Sequence, residues 1–208
     1  MATVQRFTTP VFRMSFPKLA KPEAYQEGSK EKFSCGAIWT PANFTEKEKV
    51  LWRNINNAMN EAAKERFKKS IKELKVLNSE GASYKLGLRD GKSKADLEGY
   101  GEGTIFANLS SEMRPGIVDR NKNPISHEEG NMDEIYPGAY FRATVTVYSY
   151  DGKGKGVSLG LMNLQKVKDC ADEDRLDSRR NAAEDFDDDF LEDEDTEGFL
   201  GDDDDIGF

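Results

Sequence analysis

Residues 139–168 read AYFRATVTVYSYDGKGKGVSLGLMNLQKVK. In the first half, Phe141, Ala143, Val145 and Val147 fall on one side of an extended chain, and Tyr140, Arg142, Thr144, Thr146, Tyr148 and Tyr150 on the other. That period of two is the mark of a half-buried strand. Asp151-Gly-Lys-Gly-Lys-Gly156 supplies a hairpin turn carrying Lys153 and Lys155, and Val157, Leu159 and Leu161 restore an apolar face on the return. A long antiparallel hairpin is predicted, and the remaining strands are sought as its neighbours.

Upstream, residues 4–16 alternate loosely and suit a strand that Pro10 confines to an edge or breaks at a bulge. Residues 17–30, rich in Pro, Lys, Glu and Gly, read as a loop. Lys32 to Trp39 alternates again, with Phe33, Cys35, Ala37 and Trp39 on one side. Thr45 and Glu48 have capping-box spacing, so a helix is expected from there to about Ser70, its apolar stripe formed by Leu51, Ile55, Ala58, Met59, Ala62 and Phe67. The basic run Lys64 to Lys69, extended by Lys72 and Lys75, reads as a solvated face or a phosphate contact. Residues 79–103 form a glycine-rich connection with one short strand near Tyr84 to Leu88. Thr104 to Ser110 reads as a strand with Ile105, Ala107 and Leu109 on one side and Phe106 on the other. Gly116 to Ile125 reads as strand, turn and return, and Ser126 to Gly138 as an outward acidic loop.

Charge divides the chain. From Asp169 to Phe208 there are 19 Asp and Glu against three Arg, a net −16, whereas residues 1–168 hold 27 Lys and Arg against 20 Asp and Glu, a net +7. One domain over 1–168 and a disordered acidic tail over 169–208 are expected. No stretch reaches the roughly 20 apolar residues of a membrane span, so no membrane association and a cytoplasmic location are expected. Cys35, Cys170 and the single His127 offer neither a disulfide framework nor a clustered metal site. No metal, cofactor or catalytic residue is assigned.

Antiparallel strands with one inserted helix fit an OB-type barrel or a β-sandwich. The outward face of residues 140–150 favours the barrel, because three tyrosines and an arginine stand where Thr, Ser, Lys and Glu would suffice. Aromatic side chains stack bases without reading sequence while nearby cations hold phosphates. Tyr140, Arg142, Tyr148, Tyr150 and Phe106, with Lys153 and Lys155 at the hairpin tip, are the candidate DNA-binding set. Tyrosines also pair across strands for purely structural reasons, and both readings stand at this point.

The hairpin followed by an Asp- and Glu-rich tail, together with the opening RFTTPVFRMSFPKLAKP, resembles a family of phage-encoded single-stranded DNA-binding proteins. The resemblance extends to Lys168 and is most specific over Tyr148 to Lys168. It implies a mainly β protein, an OB-fold five-stranded antiparallel barrel with an inserted α-helix, that coats single-stranded DNA during phage replication, recombination or repair in the host cytoplasm. It also implies that the tail recruits replication proteins such as a DNA polymerase or helicase. Phe208, with Ile206 beside it and Asp202, Asp203, Asp204 and Asp205 before it, would enter an apolar pocket rimmed by Lys or Arg on that partner; self-association is left open. Two other classes compete. A chaperone or DNA mimic would act through the acidic tail alone, and a magnesium nuclease would need Asp90, Asp96, Glu98, Asp119 or Asp133, whose spacing follows no recognisable pattern.

Overall fold

The computed structural model describes residues 5–24, 27–126, 133–152 and 154–176. The chain opens with β1 (Phe7–Thr8), breaks at Pro10, and continues as β2 (Phe12–Ala24) and β3 (Glu31–Trp39). The strand β2 runs through Pro17 and Pro22, so much of the segment read from sequence as a loop is strand. Proline is tolerated there because a bulge interrupts the ladder: pairing jumps from Ser15↔Gly36 to Lys18↔Ser34. Phe16, inside that bulge, has φ +43°, a backbone region costly for any residue with a Cβ.

The helix α1 (Glu46–Phe67) starts where the capping box places it, with Thr45 accepting from the Glu48 N–H and Glu48 accepting from Thr45. Glu48 also accepts the Val11 N–H at 3.1 Å. Burial would raise its carboxyl, but these hydrogen bonds outweigh burial and hold it below the usual value. Lys68, at φ 57°, ends α1, and a second capping box, Ser70 with Glu73, starts α2 (Ile71–Ser79). The residues expected to extend the first helix's basic face, Lys72 and Lys75, therefore belong to a separate helix.

Four short or medium strands follow, β4 (Tyr84–Leu86), β5 (Arg89–Asp90), β6 (Ile105–Ser111) and β7 (Gly116–Val118), and then the hairpin of β8 (Tyr140–Asp151) and β9 (Lys155–Lys168). Their pairings close a ring. β8 joins β2, β2 joins β3, β3 joins β6, β6 joins β9, and β9 returns to β8. This is the expected five-stranded barrel, in the order first, second, third, fifth, fourth. Its β6–β9 join is parallel, at Ser110↔Gly160, while the other four are antiparallel.

Inside the barrel, Phe12, Met14, Cys35, Ala37, Trp39, Leu109, Phe141, Ala143, Val145, Leu159 and Leu161 are buried, as alternation predicts for β3, β8 and β9. Each large side chain removed from water there contributes about 1.5–3 kcal/mol. The helix α1 closes one side with Ile55, Met59 and Ala63. Trp52 lies 5.2 Å from Trp39, whose indole N–H donates to the Pro10 carbonyl at 3.2 Å. The barrel is thus filled by apolar side chains, and its outer faces carry most of the polar ones.

Candidate nucleic-acid interface

On the outer face of β2, β3 and β6 the side chains are small: Ser34, Gly36, Asn108 and Ser110 form the floor of a hollow of about 610 Å³. Lys18, Lys30, Lys32 and Lys94 stand around it, with Phe16 on the wall. Phe16 is 55 % exposed, which is unusual for a phenyl ring and places it within reach of a ligand. Lys18 meets Glu23 at 2.5 Å, and Lys30 and Lys32 share Glu112 at 3.3 and 3.8 Å. Lys94 has no carboxylate partner among the described residues; its ammonium lies 5.2 Å from the rings of Tyr100 and Phe106 and 5.8 Å from Phe16.

The connection of residues 91–104 folds down on this face. Tyr100 bonds Ser15 at 2.7 Å and meets Phe106 edge-on at 5.2 Å. Gly36 makes room for that contact, since a Cβ there would lie 2.2 Å from the Ser15 hydroxyl and 3.2 Å from that of Tyr100. Cys35, between Ser34 and Gly36, faces the barrel interior; burial pushes its thiol up to about 12, so it stays protonated and packs as an apolar residue.

Phe106 needs correction as a stacking candidate. It lies on the outer side, as alternation predicts, yet it is fully buried, covered by Tyr100 and by the Arg89 guanidinium 4.3 Å above its ring. Sequence periodicity shows which side a residue faces and not whether a loop returns to cover it.

Tyr148 and Tyr150 do come together, their rings 6.1 Å apart, with Tyr148 40 % exposed. Burial, then the neighbouring Tyr148, raises the Tyr150 phenol above its usual value, so it remains a neutral hydroxyl. Tyr150 borders a second hollow of about 830 Å³, and Asn108 lines both hollows. Lys155 projects over the Tyr84 ring at 4.4 Å; Lys153 lies outside the described residues. Tyr140 and Arg142 stand at the other end of β8, about 26 and about 20 Å along the strand from Tyr148. There Lys168 covers the Tyr140 ring at 4.4 Å, and Arg142 bonds Gln165 at 2.7 Å. The structure therefore separates the expected platform into two ends.

Phe16, Lys94 and Tyr100 were not legible as site residues. A phenylalanine just before a proline, followed by Lys18 and Lys21, is the one sequence sign that could have marked Phe16.

The first residues of the acidic segment are docked on the barrel. Asp169 accepts from the Tyr136 hydroxyl and pairs with Lys166, both at 2.7 Å, and Lys166 also pairs with Glu134. The bonds to Lys166 and then Tyr136 hold the Asp169 carboxyl below its usual value. Burial pulls the Lys166 ammonium down, but its two carboxylate partners more than offset this and raise it. Arg13 donates to the Asp174 carbonyl, and Leu176 sits against Gly99. The tail residues Asp202, Asp203, Asp204, Asp205, Ile206 and Phe208 lie outside the described residues.

A closed five-stranded barrel of this order, with a lysine-lined and aromatic-walled groove across its outer face, defines an OB-fold binding protein. The family model described as Enterobacter phage Enc34, ssDNA-binding protein, matches residues 5–200, and the chain belongs to that family. It is a family of binding proteins and not of enzymes. A relative, putative protein p50 of Acyrthosiphon pisum secondary endosymbiont phage 1, is 42 % identical over 82 residues, 39 % of this chain and 42 % of that protein. The match thus spans less than half of that relative's length. Among solved structures, the single-stranded DNA-binding protein of bacteriophage Enc34 in complex with ssDNA superposes with a TM-score of 0.65 at 20 % identity, over 80 % of this chain and 88 % of that one. The gp2.5 single-stranded DNA-binding protein of bacteriophage T7 gives 0.55 at 13 % identity, over 96 % and 100 %.

Proposed function

We propose that the protein binds single-stranded DNA without sequence preference along the groove on the outer face of β2, β3 and β6, and protects it during phage replication, recombination or repair in the host cytoplasm. The observation that carries this reading is the juxtaposition of an exposed Phe16, the cation of Lys94 and a floor of Ser34, Gly36 and Asn108 in one hollow. Small floor residues let a strand approach the sheet, an exposed ring stacks a base, and lysines neutralise phosphates. Stacking on Phe16 and charge neutralisation by the lysines do not depend on base identity, which fits binding without sequence preference. Tyr148, on the far side of Asn108, offers a further ring.

Anisotropy of a labelled oligo-dT, compared with a duplex of equal length across a salt series, tests the reading. Preferential binding of the single strand, with affinity falling steeply as salt rises, is expected. Equal affinity for the duplex at every salt concentration would remove it.

The tail is assigned a second role. Tethered to a cationic barrel, a −16 segment competes with DNA at high effective concentration, and DNA binding frees it for a polymerase or helicase, with Phe208 entering an apolar pocket. A chain ending at Leu176 should bind oligo-dT more tightly at low salt and lose capture of those replication proteins. Unchanged affinity would argue against competition.

A further inference from the structure

The second hollow is only partly the barrel's own face. One wall comes from the insertion between β3 and β6, namely Lys75 and Asn78 of α2, Tyr84 to Leu86 of β4, and Arg89 and Asp90 of β5. The other wall is Tyr150 with Val157 and Ser158 of the hairpin. We propose that this hollow is an added subsite for single-stranded DNA, which takes the strand on from the first hollow past Asn108 and lengthens the binding track. The inference rests on the reading of the first hollow as the DNA groove.

Three observations support it. The hollows share Asn108, which is exposed, so a chain lying on the floor of one meets the other without crossing a ridge of bulky side chains. The cations at the rim are available: Lys75 and Lys85 have no ion-pair partner among the described residues, and Arg89 is held by the Phe106 ring and not by a carboxylate. The wall is also firmly built. The Asn78 amide accepts the Tyr84 N–H at 2.7 Å and donates to the Tyr84 carbonyl at 2.8 Å, fixing α2 to β4. Gly156 then lets β4 lie against β9, since a Cβ there would sit 2.0 Å from the Lys85 carbonyl.

The chemistry suits a nucleotide. Tyr150 presents a neutral, half-buried ring for a base, Ser158 and Asn108 offer hydrogen bonds along the floor, and Lys75 and Lys85 stand where phosphates would pass. A simple five-stranded barrel has no such wall, so the insertion would set how many nucleotides one molecule covers.

The test uses the full chain with dT oligomers from about 4 to about 16 nucleotides, the range one OB fold covers. Lys75→Ala/Lys85→Ala changes only exposed positions. The double variant is expected to match wild type on the shortest oligomer and to lose most of the gain in affinity that wild type shows with length. On the longest oligomer its salt slope should be shallower by about 1.4, so the loss of affinity between about 50 and about 200 mM salt shrinks about sevenfold. The same drop at every length, or no drop at any, would overturn the subsite while leaving the first groove intact. Failure of wild type to bind any oligomer would overturn the groove and the subsite together.

Discussion

The two long strand pairs of this barrel contrast sharply. β8 and β9 pair through twelve successive partners with two small register shifts, alternate cleanly, and bury one face. β2 and β3 keep only six paired positions, interrupted by one shift of that size and a second, larger one between Lys18 and Glu23, and β2 carries two prolines and a phenylalanine at positive φ. The regular pair forms the barrel wall, and the irregular pair carries most of the groove. A bulge turns Phe16 out of the ladder, where its ring is exposed and its backbone is strained.

The contrast can be broken most forcefully on its regular side. Phe141→Ala empties a fully buried position in β8, and a loss of about 3–5 kcal/mol in urea unfolding is expected. A loss below about 1 kcal/mol would show that β8 is not the structural member of the comparison.

Phe16→Ala attacks the irregular side. The site is exposed and strained, so stability should hold, whereas affinity for oligo-dT should fall by the about 1–3 kcal/mol that a stacked base is worth. If urea unfolding shifts and binding does not, the bulge serves folding and not recognition.

A smaller effect is expected from Gly36→Ala. The new methyl would displace the Ser15 hydroxyl from Tyr100, costing about 0.5–1.5 kcal/mol and loosening the connection that covers Phe106. Tyr100→Phe removes the same bond without adding volume, so equal destabilisation of the two variants would identify the hydrogen bond as the cause.

The smallest effect is acid release of the docked segment. Because the Asp169 carboxyl is held below 3.8 in the folded protein, its contribution is fully present above that pH and is lost as pH falls through the lower folded value. Amide protection in residues 170–176 should therefore fall on acidification before that of β8. Asp169→Asn should remove this pH dependence, and an unchanged profile would exclude Asp169 as the anchor.

The sequence was most readable where one rule acts alone. Alternation in residues 140–150 and 157–161 fixes inside and outside, and the Thr45 and Glu48 spacing locates the start of α1. A second capping box at Ser70 and Glu73 was present but masked by the continuing helical pattern across Lys68, whose left-handed backbone ends α1. The site was less legible. Tyr148 and Tyr150 face outward together as alternation requires, but Tyr140 and Arg142 share their side of the strand and not their place along the groove. Phe106 shares the outer side and is covered by a loop.

By itself the sequence determined much of the barrel's composition: the hairpin, β3 and β6 with their apolar sides, where the first helix begins, and that a basic body bears an acidic extension, but not how far β2 runs or that β5 forms. Those follow from local periodicity and charge, which are properties of neighbours in the chain. Only the tertiary structure decided that β6 meets β9 in parallel, that residues 91–104 fold over Phe106, and that Phe16, Lys94 and Asn108 share one hollow. Each of these depends on contacts between residues far apart in sequence, which register and chain return determine and local pattern does not.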